Sequence, residues 1–156
     1  MGFALPSNPA APCMRVSFQL RAALECRAMA IDLVLVVIAH VPGADRMFRH
    51  EMVTAFGEAF NNIVAHGYRG RTDGTIDVEA EIRPGELVLR LKDEGIQVDY
   101  GAIAAPDLES MPESGMGVYL MHAMVDEVAY TGGSLNVLSL TKRTSISPPH
   151  AGPDQS

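Results

Sequence analysis

The sequence predicts an α+β fold of two layers, a mostly antiparallel sheet covered on one face by three helices. Three observations carry this expectation. Segments that alternate apolar and polar residues come in pairs joined by Pro-Gly or Gly-Gly, which marks hairpins. Longer stretches with apolar residues at helical spacing lie between them. At 156 residues the chain has room for a single core.

Val16, Phe18 and Leu20 alternate with Ser17, Gln19 and Arg21 and predict a first strand. The apolar segment from Ala22 to about His40 predicts a helix, although the β-branched run Ile31 to Ile38 leaves a strand open. Pro42-Gly43 ends it. Asp45 is an N-cap for a second helix, with Phe48, Met52, Phe56, Phe60, Ile63 and Val64 on one stripe and a stop at Gly67 or Gly70. Ile76, Val78, Ala80 and Ile82 alternate with acidic and polar residues, and Pro84-Gly85 turns the chain into a returning strand through Leu87, Leu89 and Leu91. Asp93 to Gly115 reads as a long loop, the kind that in a small domain is functional or disordered. Gly117 is expected to open a third helix that buries Leu120, Met121, Met124 and Val125. A last hairpin runs from Val128 and Tyr130 through Gly132-Gly133 to Leu135–Leu140.

Pro6, Pro9 and Pro12 near one end and Pro148, Pro149 and Pro153 near the other mark two tails, 1–13 and 144–156, around a folded unit at 14–143. Acidic residues outnumber basic ones, 19 to 12, for a net charge of −7. This argues against direct grip on nucleic acid or an anionic membrane surface. The longest apolar stretch, Met29 to Val41, is too short to span a bilayer and is interrupted by Asp32 and His40. Two cysteines, Cys13 and Cys26, make neither a disulfide framework nor a thiolate zinc site, so a cytoplasmic location is expected.

Three short constellations carry chemistry. Glu58, Asn62 and His66 are spaced i, i+4, i+8 on the second helix, and a carboxylate one turn from an amide oxygen suits Mg²⁺ and proton transfer. A polar helix edge followed by a capped loop accounts for the same spacing. Asp93-Glu94-Gly95 stands at a strand end, where a buried Asp needs a donor such as an adenine amino group. A solvated hairpin exit also fits. Ser114-Gly115-Met116-Gly117-Val118 opens a helix, whose free N–H groups favour phosphate, and it is neither a Walker A nor a Rossmann fingerprint. A flexible helix start is the plainer alternative.

Taken in this order, the three motifs resemble the N, G1 and G2 boxes of the GHKL ATP-binding fold (the Bergerat fold of gyrase, histidine kinases and MutL). The resemblance covers about Met14 to Arg143. Glu58-Ala59-x-x-Asn62-x-x-x-His66-Gly67-Tyr68 is most similar to the bacterial anti-sigma-factor serine kinases (RsbW/SpoIIAB type), as is the stretch from Gly115 to Asp126. The resemblance implies that Glu58 is the catalytic base and that Asn62 holds Mg²⁺. It implies that Asp93 and Gly95 receive the adenine of ATP, that the Gly115-Met116-Gly117 backbone faces the phosphates, and that residues 96–114 form a lid. It further implies an ATP-dependent serine/threonine kinase, a STAS-domain anti-sigma antagonist as substrate, a sigma factor as a second partner, and a homodimer. The chain departs from the pattern at Ile96, Gln97 and Val98, where a glycine and an aromatic are frequent, and at Met116, where a basic residue is common. These departures suit an alternative, a nucleotide-dependent partner-switching module without turnover. His66 and Tyr68 are read as structural, and Lys142 as a solvated strand-end residue.

Overall fold

A computed structural model describes residues 14–69, 71, 73–98, 100 and 113–145. The elements in chain order are β1 (Met14–Arg21), α1 (Arg27–Ile38), α2 (Arg46–Asn62), β2 (Thr75–Arg83), β3 (Glu86–Asp93), α3 (Glu113–Met124), β4 (Glu127–Thr131) and β5 (Asn136–Arg143). The strands form one antiparallel sheet in the order β1-β2-β3-β5-β4. This is the expected α+β arrangement. The tails expected at 1–13 and 144–156, apart from Thr144 and Ser145, and most of the lid expected at 96–114 lie outside the described residues.

Strand alternation divides the sheet into two chemically distinct faces. Ile76, Val78, Ala80 and Ile82 of β2, Leu87, Leu89 and Leu91 of β3, and Leu138 and Leu140 of β5 are buried in one core with Val34, Met52, Phe56, Phe60 and Met121 of the helices. Each large side chain buried there contributes about 1.5–3 kcal/mol over leaving it in water. On the other face Glu81, only 3 % exposed, accepts from Arg15, Arg83 and Arg90. Burial opposes its charge, yet the guanidinium groups of Arg83 and Arg90 hold its carboxyl below the ordinary range.

Helix boundaries differ from expectation for local reasons. The first helix starts at Arg27, not Ala22, because the Ala22 N–H still donates to Gly74 O and extends the β1 pairing before a short 3₁₀ turn at Leu24–Cys26. The β-branched run Ile31 to Ile38 is helical. Asp45 caps α2 as expected, its Oδ1 accepting the Phe48 N–H at 2.8 Å. The second helix then widens into a π turn over Ile63–Gly67, closed by the Tyr68 N–H on Ile63 O. The third helix begins at Glu113, one turn before Gly117. Met121 and Val125 are buried as expected, with Val118, while Leu120 and Met124 are only half-buried. The last strand is Asn136–Arg143, and Leu135, expected inside it, stands exposed before it. Among the described residues, no helix is long and apolar enough to cross a membrane.

Candidate functional site

The candidate residues lie along α2 and the π turn after it, with α3 against Glu58 and the chain leaving β3 against Gly67 and Tyr68. Glu58 and Asn62, one turn apart on α2, are half-buried and buried respectively. Glu58 is seated against α3 at Gly117, where an added Cβ would lie 2.5 Å from the Glu58 Oε2. A larger residue there would displace the Glu58 carboxylate. Asn62 is 8 % exposed, and its Nδ2 is buried without a hydrogen-bond partner among the described residues. A buried amide of this kind is costly unless a ligand completes it. His66 is exposed and does not continue the Glu58–Asn62 row, because the π turn breaks the i, i+4 spacing before it is reached.

Asp93, the last residue of β3, is 6 % exposed, so the strand-end Asp is not solvated. Its Oδ1 accepts the Gly95 N–H at 2.8 Å and the Asn136 amide at 3.1 Å. The following loop is laced to the end of α2. Ile96 N–H donates to Gly67 O at 2.7 Å, and a Cβ on Gly95 would stand 2.6 Å from that same oxygen. Only glycine fits so close to backbone. The Tyr68 hydroxyl accepts the Glu94 N–H at 2.9 Å and donates to Thr75 O at 2.8 Å, tying the loop to β2. Burial, reinforced by the negative charges of Asp93 and Glu94, pushes its pKa up and keeps it a donor. A cavity of about 580 Å³ opens here, lined in part by Gly67, Tyr68, Arg69, Gly95 and Ile96.

The segment beyond is anchored to β4. Val98 N–H donates to the Tyr130 hydroxyl at 3.1 Å, and the Tyr100 and Tyr130 rings meet edge-on at 4.7 Å. Gln97 packs on Gly132, where a Cβ would lie 2.5 Å from its side chain.

In α3, Gly115 and Gly117 fall in the first turns of the helix, and the Met116 side chain is 41 % exposed. The surroundings of Gly115 lie outside the described residues. Lys142 is buried, contrary to expectation. Its Nζ lies 2.5 Å from Glu51 and donates to Met124 O at 2.9 Å, so its charge is neutralised between α2 and the C-terminus of α3.

Together these groups can accept a proton at Glu58, coordinate a hard cation through Asn62, and accept an N–H donor at Asp93. The Asn62 amide oxygen fits Mg²⁺, which takes its remaining oxygens from phosphate and water and leaves the Glu58 carboxylate free to take a proton. Sequence reading missed Asn136. An Asn shortly after Gly132-Gly133 reads as a turn residue, and only the β3–β5 register puts it opposite Asp93.

Comparison with known proteins places these features in context. A model of the histidine kinase-like ATPase domain matches residues 20–142. An anti-sigma F factor of Clostridium beijerinckii is 32% identical over 120 residues, covering 72% of this chain and 80% of that protein. An anti-sigma F factor of Halalkalibacterium halodurans is 37% identical over 82 residues, covering 50% of this chain and 56% of that protein. The matched stretch therefore spans only a little over half of the second relative. Among solved structures, the RsbU and RsbW domains of a Mycobacterium tuberculosis protein share the fold, with a TM-score of 0.60 at 23% identity, covering 85% of this chain and 32% of that one.

Proposed function

Because the chain belongs to the family of histidine kinase-like ATPase domains over residues 20–142, we propose that it is an ATP-binding protein serine/threonine kinase and anti-sigma regulatory factor that phosphorylates a STAS-type anti-sigma antagonist. The observation that carries this reading is the Glu58–Asn62 pair on α2, with Glu58 against the backbone of α3 at Gly117. A sigma factor as second partner, a homodimer and a cytoplasmic location belong to the same reading. The sigma-factor partner is supported by relatives named anti-sigma F factors.

In this reading Asp93 accepts the adenine amino group beside Gly95, and the N-terminal turns of α3 around Gly115, Met116 and Gly117 face the phosphates, with the helix dipole favouring their charge. Asn62 holds Mg²⁺, and the ion supplies neutralisation of phosphate charge, which a chain of net charge −7 does not supply in bulk. Glu58 takes the proton of the partner's serine hydroxyl. As it does so the serine oxygen bonds the γ-phosphorus, and the bond from that phosphorus to the bridging oxygen breaks to leave ADP. The remaining acceleration comes from holding acceptor and phosphate in line.

The exposed apolar Met116, which brings no charge to a phosphate, favours a second reading in which nucleotide binding switches partners without phosphoryl transfer. Incubation with Mg²⁺, γ-labelled ATP and candidate STAS-domain proteins separates the two. Label on a partner serine supports the kinase. Tight ATP binding without transfer to any candidate leaves the switch.

A further inference from the structure

The far end of α2 carries charge that the helix itself does not favour. Its first turns hold Arg46, Arg49 and His50 and no acidic residue, so positive side chains stand at the positive end of the helix dipole, at a cost of about 0.3–1 kcal/mol each. Among the described residues neither Arg46 nor Arg49 has an ion-pair partner. Gly43, at φ 81°, turns the chain so that the end of α1 lies beside this segment. Between them is a cleft of about 170 Å³ lined by Leu35, Ile38, Ala39 and Ala44, with the exposed Arg46 and Arg49 beside them. Asp45 also borders the cleft, but its Oδ1 already accepts the Phe48 N–H. Val36 and Met47, next in sequence to lining residues, are large, apolar and exposed.

From this arrangement we infer that the α1–α2 cleft docks an acidic amphipathic helix of a partner protein, at a surface separate from the nucleotide site. Size decides against a metabolite, because small-molecule pockets begin at about 300 Å³. The cleft instead suits one or two apolar anchor side chains of a helix laid along it, which is how helix-in-groove recognition works. Charge decides the rest of the partner's chemistry. Two arginines without a carboxylate of their own, in a chain of net charge −7, accept carboxylates from outside, each in a bidentate pair. An anionic membrane would meet the same two arginines but also the repulsion of the whole chain, and the apolar surface here is a concavity and not a face that can lie in a bilayer. The surface is also remote from the chemistry. Arg49 precedes Glu58 on α2 by about 14 Å of helix axis, so a partner held at the cleft leaves the far end of α2 open. Docking here does not require that the chain bind ATP.

The test is titration of the ¹⁵N-labelled full chain with a synthetic amphipathic helix that bears leucines on one face and glutamates on the other, and with its counterpart in which lysines replace the glutamates. The expected result is amide shifts at Leu35, Ile38, Ala39, Ala44, Arg46 and Arg49 with the acidic peptide, none at Glu58 or Asn62, and no response to the basic peptide. Arg46→Gln combined with Arg49→Gln should weaken the acidic peptide at least about tenfold, the effect of losing one charge-assisted hydrogen bond or more. Both arginines are exposed, so the double variant should keep the thermal midpoint of the unaltered protein, and Leu35→Gln supplies a second, uncharged probe of the same cleft. Absence of shifts in the cleft, equal binding of the two peptides, or unchanged affinity in the double variant overturns the inference. Two other occupants are read on the same samples. Self-association that the double variant abolishes assigns the cleft to a second copy of the chain. Binding to phosphatidylserine vesicles that it abolishes assigns it to a membrane. Either result overturns the inference.

Discussion

The Glu58 carboxylate occupies the space where a side chain at residue 117 would begin: an added Cβ there would lie 2.5 Å from its Oε2. Residue 117 therefore decides where Glu58 points. Gly117→Ala should fold, because the displaced atom is the free end of a side chain and alanine is the better helix former by about 1 kcal/mol. Phosphoryl transfer should nonetheless fall about 100-fold, the cost of moving a catalytic group by an ångström. Thermal unfolding together with single-turnover transfer checks both halves.

Phe56 is fully buried between the sheet and the helices and packs against Phe60, ring centroids 6.3 Å apart. Phe56→Ala should destabilise the domain by about 3–5 kcal/mol, read as a lowered urea midpoint with unchanged slope. Since Phe56 lies on the helix that carries Glu58 and Asn62, nucleotide affinity should fall with it as the temperature approaches the new midpoint.

Glu81 supplies a pH dependence. Burial opposes its charge, but hydrogen bonds from Arg83 and Arg90 hold its folded-state pKa below its ordinary value of 4.5. A carboxyl with a depressed folded pKa binds fewer protons in the native state than in the unfolded chain. Its contribution is therefore present above about pH 4.5 and is lost as pH falls through the folded value. The unfolding free energy of Glu81→Gln should fall less steeply with acid below that pH than that of the unaltered protein, as denaturant titrations at several pH values would record.

Tyr68→Phe removes the hydroxyl that accepts from Glu94 N–H and donates to Thr75 O. Two bonds go while a phenyl ring of the same shape replaces the phenol, so stability should drop by about 1–2 kcal/mol. The loop carrying Asp93 and Gly95 loses its tie to β2, and amide hydrogen exchange at Glu94 and Gly95 should accelerate.

Much of the fold was legible because it rests on periodicity. Phe48, Met52, Phe56, Phe60, Ile63 and Val64 recur at helical spacing and are all buried, and the alternation at Ile76–Ile82 and Leu87–Leu91 faces the core as written. Two contacts join the motif segments: Glu58 lies against Gly117, and Asp93 and Gly95 lie against Gly67 at the end of the π turn. What was illegible depends on tertiary partners. Gly117 reads as a helix start by propensity, yet it sits inside α3, where it leaves room for the Glu58 carboxylate. Lys142 looks solvated until Glu51 and Met124 O are brought to it from two other elements. Asn136 acquires meaning only from the strand register that pairs it with Asp93. The π turn at Ile63–Gly67 has no signature in the apolar spacing, and it is what separates His66 from the Glu58–Asn62 row.

The central claim is that Glu58 moves the acceptor's proton while other residues hold the nucleotide. Glu58→Gln keeps the size of the side chain and removes its basicity, so it separates the two. The most direct measurement is single-turnover transfer of the γ-phosphoryl from labelled MgATP to a STAS-domain acceptor, with ATP affinity determined on the same samples. The account predicts that Glu58→Gln binds ATP within a few-fold of the unaltered protein and transfers phosphate at least about 100-fold more slowly, at the scale of general-base catalysis. Equal transfer rates in the two proteins would contradict it.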